Sequence, residues 1–219
     1  MPTNTKDLTK FLTALKANNN KPWFDAHRDT YDALRATFID DVQHLILAIA
    51  AFDPAVKHQI ARSAIYRINR DIRFSRNKQI YKTNFGAAIV PSGKKMESPS
   101  YHIHLDYDGT MMVAGGLYMC TSQQLDRIRT AIDRNPRKLR SILFASTFKR
   151  TFGGLADDDV LKRPPRGYAA DHPAIDLLKL KRFAAWTEVK QKTGDWVPQA
   201  ATMAKILFPL ISYLRQVSF

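Results

Sequence analysis

The chain has 219 residues, of which 45% are hydrophobic and 25% charged. That is long enough to bury a core and too apolar for a disordered chain. Thirty-four Lys and Arg against 20 Asp and Glu leave a net charge of +14, a field that attracts phosphorylated metabolites, nucleic acid or anionic headgroups, though many basic proteins carry it for solubility alone.

The single cysteine, Cys120, excludes an internal disulfide. The first residues lack an apolar stretch of signal-peptide length, and no run approaches the roughly 20 apolar residues that span a bilayer. A cytoplasmic location, no membrane partner and no cofactor are the expectations.

In chain order, Leu8, Phe11, Leu12 and Leu15 form one apolar face and predict a helix over 5–17. Asn18 to Pro22 breaks it. A second helix is expected from Pro22 to about Ala51, with a stripe including Trp23, Phe24, Tyr31, Phe38, Val42 and Ile49. Helical spacing makes Trp23, Phe24 and Tyr31 core residues first. Residues 53–84 have no clean period, and Ser75 to Lys78 read as a turn.

Strands follow. Phe85 to Val90 is a short apolar run ending at Pro91-Ser92-Gly93. From Tyr101 to Tyr107 the pattern alternates, with Tyr101, Ile103, Leu105 and Tyr107 on one face and His102, His104 and Asp106 on the other. Asp108-Gly109 signals a hairpin, and Met111 to Met119 supplies the return strand. Gly115-Gly116 marks a bulge or a close backbone approach. Thr121 is placed to cap a helix carrying Leu125, Ile128 and Ile132, which ends at Asn135-Pro136. A further helix holds Leu139, Ile142 and Leu143. Residues 153–172 read as a loop, Phe183 to Val189 as a strand, and a last helix begins near Pro198. The order predicts an α+β fold, mainly antiparallel, with a hairpin-bearing sheet packed against several helices in a single domain over residues 1–219.

Residues 62–82 hold seven basic side chains, Arg62, Arg67, Arg70, Arg73, Arg76, Lys78 and Lys82, against Asp71 alone. Ile65, Tyr66, Ile68, Ile72, Phe74, Ile80 and Tyr81 are interleaved with them. Such anchors fix a segment onto a core while it presents guanidinium groups, which recognise phosphate and carboxylate in a planar, bidentate way.

The stretch from Ile65 to Thr83 resembles the signature of the domain of unknown function (DUF) 2461 family, mostly bacterial. The matching positions are Arg67, Arg70, Asp71, Arg73, Phe74, Ser75, Lys78, Tyr81 and Lys82. Asn19 to Phe24 with His27 and Tyr31, the strand from Tyr101 to Leu105, Gly115 to Tyr118, and Gly167 to Pro173 are similar to other parts of that family. The likeness covers roughly residues 8–215. It implies a domain boundary and no activity. Asn77 stands where the family has Asp, and Gln79-Ile80 where it has Thr-Pro. An amide exchanges no protons near neutral pH, so a shared acid–base chemistry would fall to Asp71.

Two readings of the segment compete. In one, Arg67, Arg70, Arg73, Lys78 and Lys82 hold a small phosphorylated or carboxylated ligand, with Tyr81 alongside, and Asp71 orients an arginine or acts as a base. His172, in the Asp171-His172-Pro173 turn, joins this candidate site on the resemblance. In the other, Asp71 pairs with Arg70 or Arg73 and the cations cap loop carbonyls, an internal hub serving structure or a partner. Nucleic acid is a third alternative, with Arg127, Arg129, Arg134, Arg137 and Arg140 extending a basic stripe and Tyr66, Tyr81 or Trp23 stacking on bases. His102, His104 and Asp106 have the alternation that begins a metal site, but no second cluster has matching spacing, and the polar outer face of a hairpin is preferred, with no metal expected. Cys120 has no base near it in sequence. Neither a phosphate-cradling glycine loop nor a serine-hydrolase elbow is present.

Overall fold

The computed structural model describes residues 5–73, 78–91, 98–191 and 194–219. Helix α1 spans Thr5–Ala17, and Leu8, Phe11, Leu12 and Leu15 are its buried stripe. Asn20 caps the next helix, α2 (Lys21–Ala26), by accepting the Trp23 N–H at 3.0 Å.

The single helix expected from Pro22 to Ala51 is two. Helix α3 (Arg28–Ala50) begins after a break at His27, whose φ of −115° and ψ of 17° leave the helical region. The imidazole stacks on Trp23 at 3.9 Å, and Nδ1–H donates to the Trp23 carbonyl at 2.8 Å. That carbonyl is the one a continuous helix would offer to the His27 N–H. The backbone N–H turns instead to Phe24 O at 3.1 Å.

The unassigned stretch after residue 53 contains a 3-10 turn (Pro54–Val56), a short helix α4 (Ala61–Ala64) and an irregular ribbon. The ribbon doubles back on itself: Arg70 N–H donates to Ile80 O at 2.9 Å and Lys82 N–H to Ile68 O at 2.8 Å. Isolated antiparallel bridges join Asn69 to Tyr81, and Ile65 to Ala87 in the strand that follows. Phe74, Ser75, Arg76 and Asn77 lie outside the described residues, as do Ser92 and Gly93.

Four strands, β1 (Asn84–Ile89), β2 (Ser100–Asp106), β3 (Thr110–Leu117) and β4 (Phe183–Lys190), make one antiparallel sheet in that order. The fold class is α+β, as the order of elements implied. The hairpin at Asp108-Gly109 forms, with Gly109 at φ 77°. On β2 the predicted alternation holds: Tyr101, Ile103 and Leu105 are buried, and His102, His104 and Asp106 are partly exposed.

The chain divides into two compact units. The first comprises residues 1–94, 102–113 and 188–202. Its core joins the α1 stripe to Phe38, Val42, Leu45, Ile46 and Ile49 of α3 and to Phe85, Ile103 and Val113 of the strands. Tyr31 and Phe38 both pack on Phe85, at 5.8 and 5.4 Å between ring centroids. Phe24 and Tyr31 are core, as helical spacing suggested, whereas Trp23 is half-buried.

The second unit comprises residues 95–101, 114–187 and 203–219. Helix α5 (Ser122–Arg134) opens on a capping box in which Thr121 and Gln124 satisfy each other's N–H groups. Helices α6 (Pro136–Leu143), α7 (Ser146–Phe152) and α8 (Ile175–Leu178) follow, the last two not expected from the sequence because each is under two and a half turns. Helix α9 (Val197–Ser218) contributes Leu207, Leu210, Ile211 and Leu214 to this core. Gly115 packs on Leu207 and Ile211. Gly116, at φ 121°, lets its backbone approach Phe183 so closely that a Cβ would lie 2.2 Å from the Phe183 carbonyl oxygen.

Among the described residues no helix is long and apolar enough to cross a membrane.

Candidate functional site

The basic segment is the ribbon, and it has a root and a tip. At the tip, Asp71 and Arg73 close on each other. Arg73 Nη2 donates to Asp71 Oδ2 at 2.6 Å and Nε to Oδ1 at 3.0 Å, in an exposed bidentate pair. The guanidinium holds the Asp71 carboxyl below the usual carboxylate range, and Arg67 adds a weaker pull. A carboxylate so stabilised is a weak base at neutral pH. Lys78 Nζ, also exposed, donates to Ile72 O at 3.4 Å. Arg70 is half-buried between tip and root.

At the root the ribbon meets the sheet. Tyr81 is buried, stacked on Phe24 at 4.2 Å. Asn19 anchors it, donating to Tyr81 O at 3.1 Å and accepting Tyr81 N–H at 2.9 Å. Its neighbour Lys82 is half-buried, with Nζ donating to Arg67 O at 3.0 Å and lying 5.1 Å from the centre of the Tyr66 ring. Burial and the nearby Arg67 guanidinium both depress the Lys82 pKa. Among the described residues no carboxylate comes within 4 Å of Lys82 or Arg67.

Tyr66 links the ribbon root to the outer face of β2. Its N–H donates to Gly86 O at 2.8 Å, so the ribbon continues the sheet beyond β1. Its ring then lies over Gly86, where a Cβ would stand 3.2 Å from Tyr66 Cδ2 and 3.2 Å from His104 Cβ. The Tyr66 hydroxyl is 3.2 Å from His102 Nδ1. His102 and His104 meet edge to face at 5.7 Å. Burial pushes the His102 imidazole down to about 4, with His104 and Lys82 adding to the shift. Burial also lowers His104, against the opposing pull of Asp106 and Glu188. Burial raises the Tyr66 phenol. At neutral pH Tyr66 and both imidazoles are therefore uncharged hydrogen-bonding groups beside two cations.

Perturbed titratable groups gathered on one surface are the usual signature of a functional site. The sequence placed His102 and His104 on the correct face of β2. It did not bring Tyr66, Lys82 and the histidines together, because their meeting depends on the ribbon pairing with β1. Gly86 was the available signal: a glycine inside a strand often marks close approach by another group.

The structure gathers Arg67, Tyr81 and Lys82 at the root, and Asp71, Arg73 and Lys78 toward the tip. His172 lies in the second unit. Its Nε2 is 3.0 Å from Asp133 Oδ1 on α5, and its Nδ1 accepts the Ala174 N–H at 3.1 Å, which makes it a staple of that turn. The arginines proposed to extend a basic stripe are largely occupied in that unit. Arg129 is buried and donates to Leu178 O and Leu180 O, Arg140 binds Asp176 and Pro173 O, and Arg127 reaches Ser218 O. Arg134 and Arg137 are exposed. Burial raises the Cys120 thiol to about 11, which disfavours a thiolate nucleophile. Among the described residues no group of three His, Cys, Asp or Glu is arranged to hold a metal ion.

The family model described as conserved hypothetical protein (DUF2461) matches residues 7–213 of the 219. The chain belongs to the DUF2461 family. No curated protein and no solved structure matches it. Within this DUF2461 chain the described parts of the family-like segment, residues 67–73 and 78–82, are two paired arms, anchored by Tyr81 and exposed at Asp71 and Arg73.

Proposed function

We propose that this DUF2461 chain binds a small ligand through a phosphate or carboxylate group at the root of the ribbon. One observation carries the reading: the half-buried Lys82 ammonium, 3.0 Å from the Arg67 carbonyl oxygen and within the field of the Arg67 guanidinium, has no carboxylate within 4 Å among the described residues. Desolvating a cation next to a like charge is unfavourable, and an anion seated between them offsets both effects. Tyr66 and His102 supply neutral hydrogen-bonding groups beside that position. A docked anion would gain charge-assisted bonds from the exposed Arg67 and from the half-buried Lys82, the latter in partly water-excluded surroundings where such a bond is stronger than on an open surface. Asp71 and Arg73 already satisfy each other at the tip, which favours the root over the tip as the seat.

The test is titration with hexyl phosphate and hexanoate, followed by calorimetry, on wild type and on Lys82→Ala, Arg67→Ala and Arg73→Ala. Binding that weakens about tenfold in the first two variants, and stays near wild type in the third, supports the root as the seat. Equal weakening by Arg73→Ala moves the seat to the tip. Binding indifferent to all three substitutions overturns the reading.

A further inference from the structure

The outer sheet face around the histidines is electrically polarised, and its charges do not neutralise one another. The lateral order in the first unit runs ribbon, β1, β2, β3, β4. Arg67 lies in the ribbon, and Lys82 lies two residues before the start of β1. On β2 the alternation that exposes His102 and His104 also exposes Asp106. Glu188, on β4, is exposed and acts on His104 together with Asp106. Arg67 and Lys82, which have no carboxylate within 4 Å among the described residues, therefore lie toward the β1 edge, and Asp106 and Glu188 lie on and beyond β2. Among the described residues neither Asp106 nor Glu188 has a cation within 4 Å. The Asp106 carboxylate accepts the neighbouring Tyr107 N–H at 2.7 Å. Nearby lysines are engaged otherwise: Lys190 binds Asp108 and Thr110, and Lys16 lies over Tyr107 at 3.5 Å.

Between the two ends lie groups without formal charge. Tyr66 and His102 are joined at 3.2 Å, and His102 meets His104 edge to face at 5.7 Å. Gly86 keeps the floor beneath them low, because any side chain there would meet Tyr66 and His104. Unpaired opposite charges on one surface would ordinarily close on each other. Here Lys82 is turned to the Arg67 carbonyl and the Asp106 carboxylate to the Tyr107 N–H, so the two stay apart.

From this arrangement we infer that the ligand is dipolar: a small molecule with a phosphate or carboxylate for Arg67 and Lys82, and an amine for Asp106 and Glu188. The inference rests on the anion seat proposed above and adds the second group of the ligand. Asp106, one strand spacing from β1 and two from the ribbon, sets the separation of the two groups at roughly 5–10 Å, with Glu188 two strands further along on the far side of the amine. Tyr66, His102 and His104 would line the span between them and donate or accept hydrogen bonds. A purely anionic molecule would leave the two carboxylates facing its tail, and like charge there selects against a second acidic group.

Four probes test this: 6-aminohexanoate against hexanoate, and 6-aminohexyl phosphate against hexyl phosphate. The pairs differ only in the amine, and the two series separate carboxylate from phosphate as the anion. Each is titrated by calorimetry into wild type, Lys82→Ala, and the double variant Asp106→Asn, Glu188→Gln. Circular dichroism first checks that the variants keep the wild-type fold.

The amine-bearing member of at least one pair should bind about tenfold tighter than its partner, the gain of one good charge-assisted contact. The double variant should abolish that preference without weakening the amine-free probe. Lys82→Ala should weaken both members. Equal binding of the two members to wild type, with Lys82→Ala still weakening them, overturns the dipolar inference and leaves the anion seat standing. A preference for the amine that survives in the double variant also overturns it. Failure of all four probes to bind at millimolar concentration overturns the inference and the anion seat together.

Discussion

The Tyr66 hydroxyl lies 3.2 Å from His102 Nδ1, with the Tyr66 ring over Gly86. The contact joins residues 36 apart in sequence, and it ties the ribbon to the sheet face. It also explains why the His102 imidazole is held neutral: burial under the ribbon root penalises the imidazolium.

That burial has a consequence for stability. The imidazole titrates near 4 in the folded chain against 6.5 when free. Between those values the unfolded chain binds a proton that the folded chain refuses, so stability falls as pH drops from 6.5 toward 4. The loss attributable to His102 is about 3 kcal/mol at pH 4. His102→Gln should flatten the pH dependence in this window. Urea denaturation at pH 7, 5.5 and 4.5 checks it. The exposed carboxylates held low by cations, Asp25, Asp71 and Asp159, lose their pairs at lower pH and do so equally in both proteins. Parallel curves for variant and wild type would refute the assignment.

Gly86→Ala probes the same contact without removing a polar group. A Cβ would stand 3.2 Å from both Tyr66 Cδ2 and His104 Cβ, so the ring must shift by a few tenths of an ångström. The expected result is a folded protein, destabilised by about 1 kcal/mol, with altered His102 imidazole resonances and weaker hexyl phosphate binding. Unchanged imidazole resonances would mean that Tyr66 does not rest on this glycine in solution.

Asn19→Ala should loosen the ribbon. It removes two hydrogen bonds to the Tyr81 backbone, at 3.1 and 2.9 Å, and costs about 2 kcal/mol. Hydrogen exchange should quicken at the Lys82 and Arg70 amides, which bridge the two arms of the ribbon. A melting curve matching wild type would show that Asn19 is not the anchor.

Gly116→Ala should be among the most damaging single changes in the second unit. The φ of 121° disfavours any side chain, and the added Cβ would lie 2.2 Å from Phe183 O and 2.8 Å from Ala184 Cα, both backbone atoms. Destabilisation of about 3 kcal/mol or more is expected, read as loss of soluble folded protein or a large fall in melting temperature. A melting temperature near wild type would require β4 to yield at little cost.

Nucleic acid should bind only as a diffuse polyanion. Arg127, Arg129 and Arg140 are committed to carbonyls or to Asp176, which leaves a basic stripe short of donors. A labelled single-stranded RNA and a duplex DNA should therefore be released at moderate salt, and Lys82→Ala should not alter the salt dependence. Tight, salt-resistant binding lost in Lys82→Ala would make nucleic acid the partner at the ribbon root.

Much of the architecture was legible in the residues because its cues are local. The α1 stripe, the alternation on β2, the Asp108-Gly109 hairpin and the Thr121 cap each depend on neighbours within a few positions. The break at His27 was not legible, since it arises from a ring stacking on Trp23 and a side chain taking a backbone carbonyl within an otherwise helical pattern. The candidate site was half legible. Arg67 and Lys82 stood out by charge and by resemblance, and His102 and His104 by alternation, but as separate features.

By itself the sequence determined the α+β class, most of the helices and strands, the family and the concentration of positive charge between Arg62 and Lys82. Tertiary structure alone decided which of those charges face a common surface. It paired the described arms of the segment, turned Asp71 and Arg73 outward to satisfy each other, and brought Tyr66, with the Lys82 ammonium beside its ring, over Gly86 to the histidines of β2. The physical reason is pairing range. Secondary structure follows contacts along the chain, whereas the surroundings that strip water from Lys82 and His102 come from segments that meet only when the ribbon docks on β1.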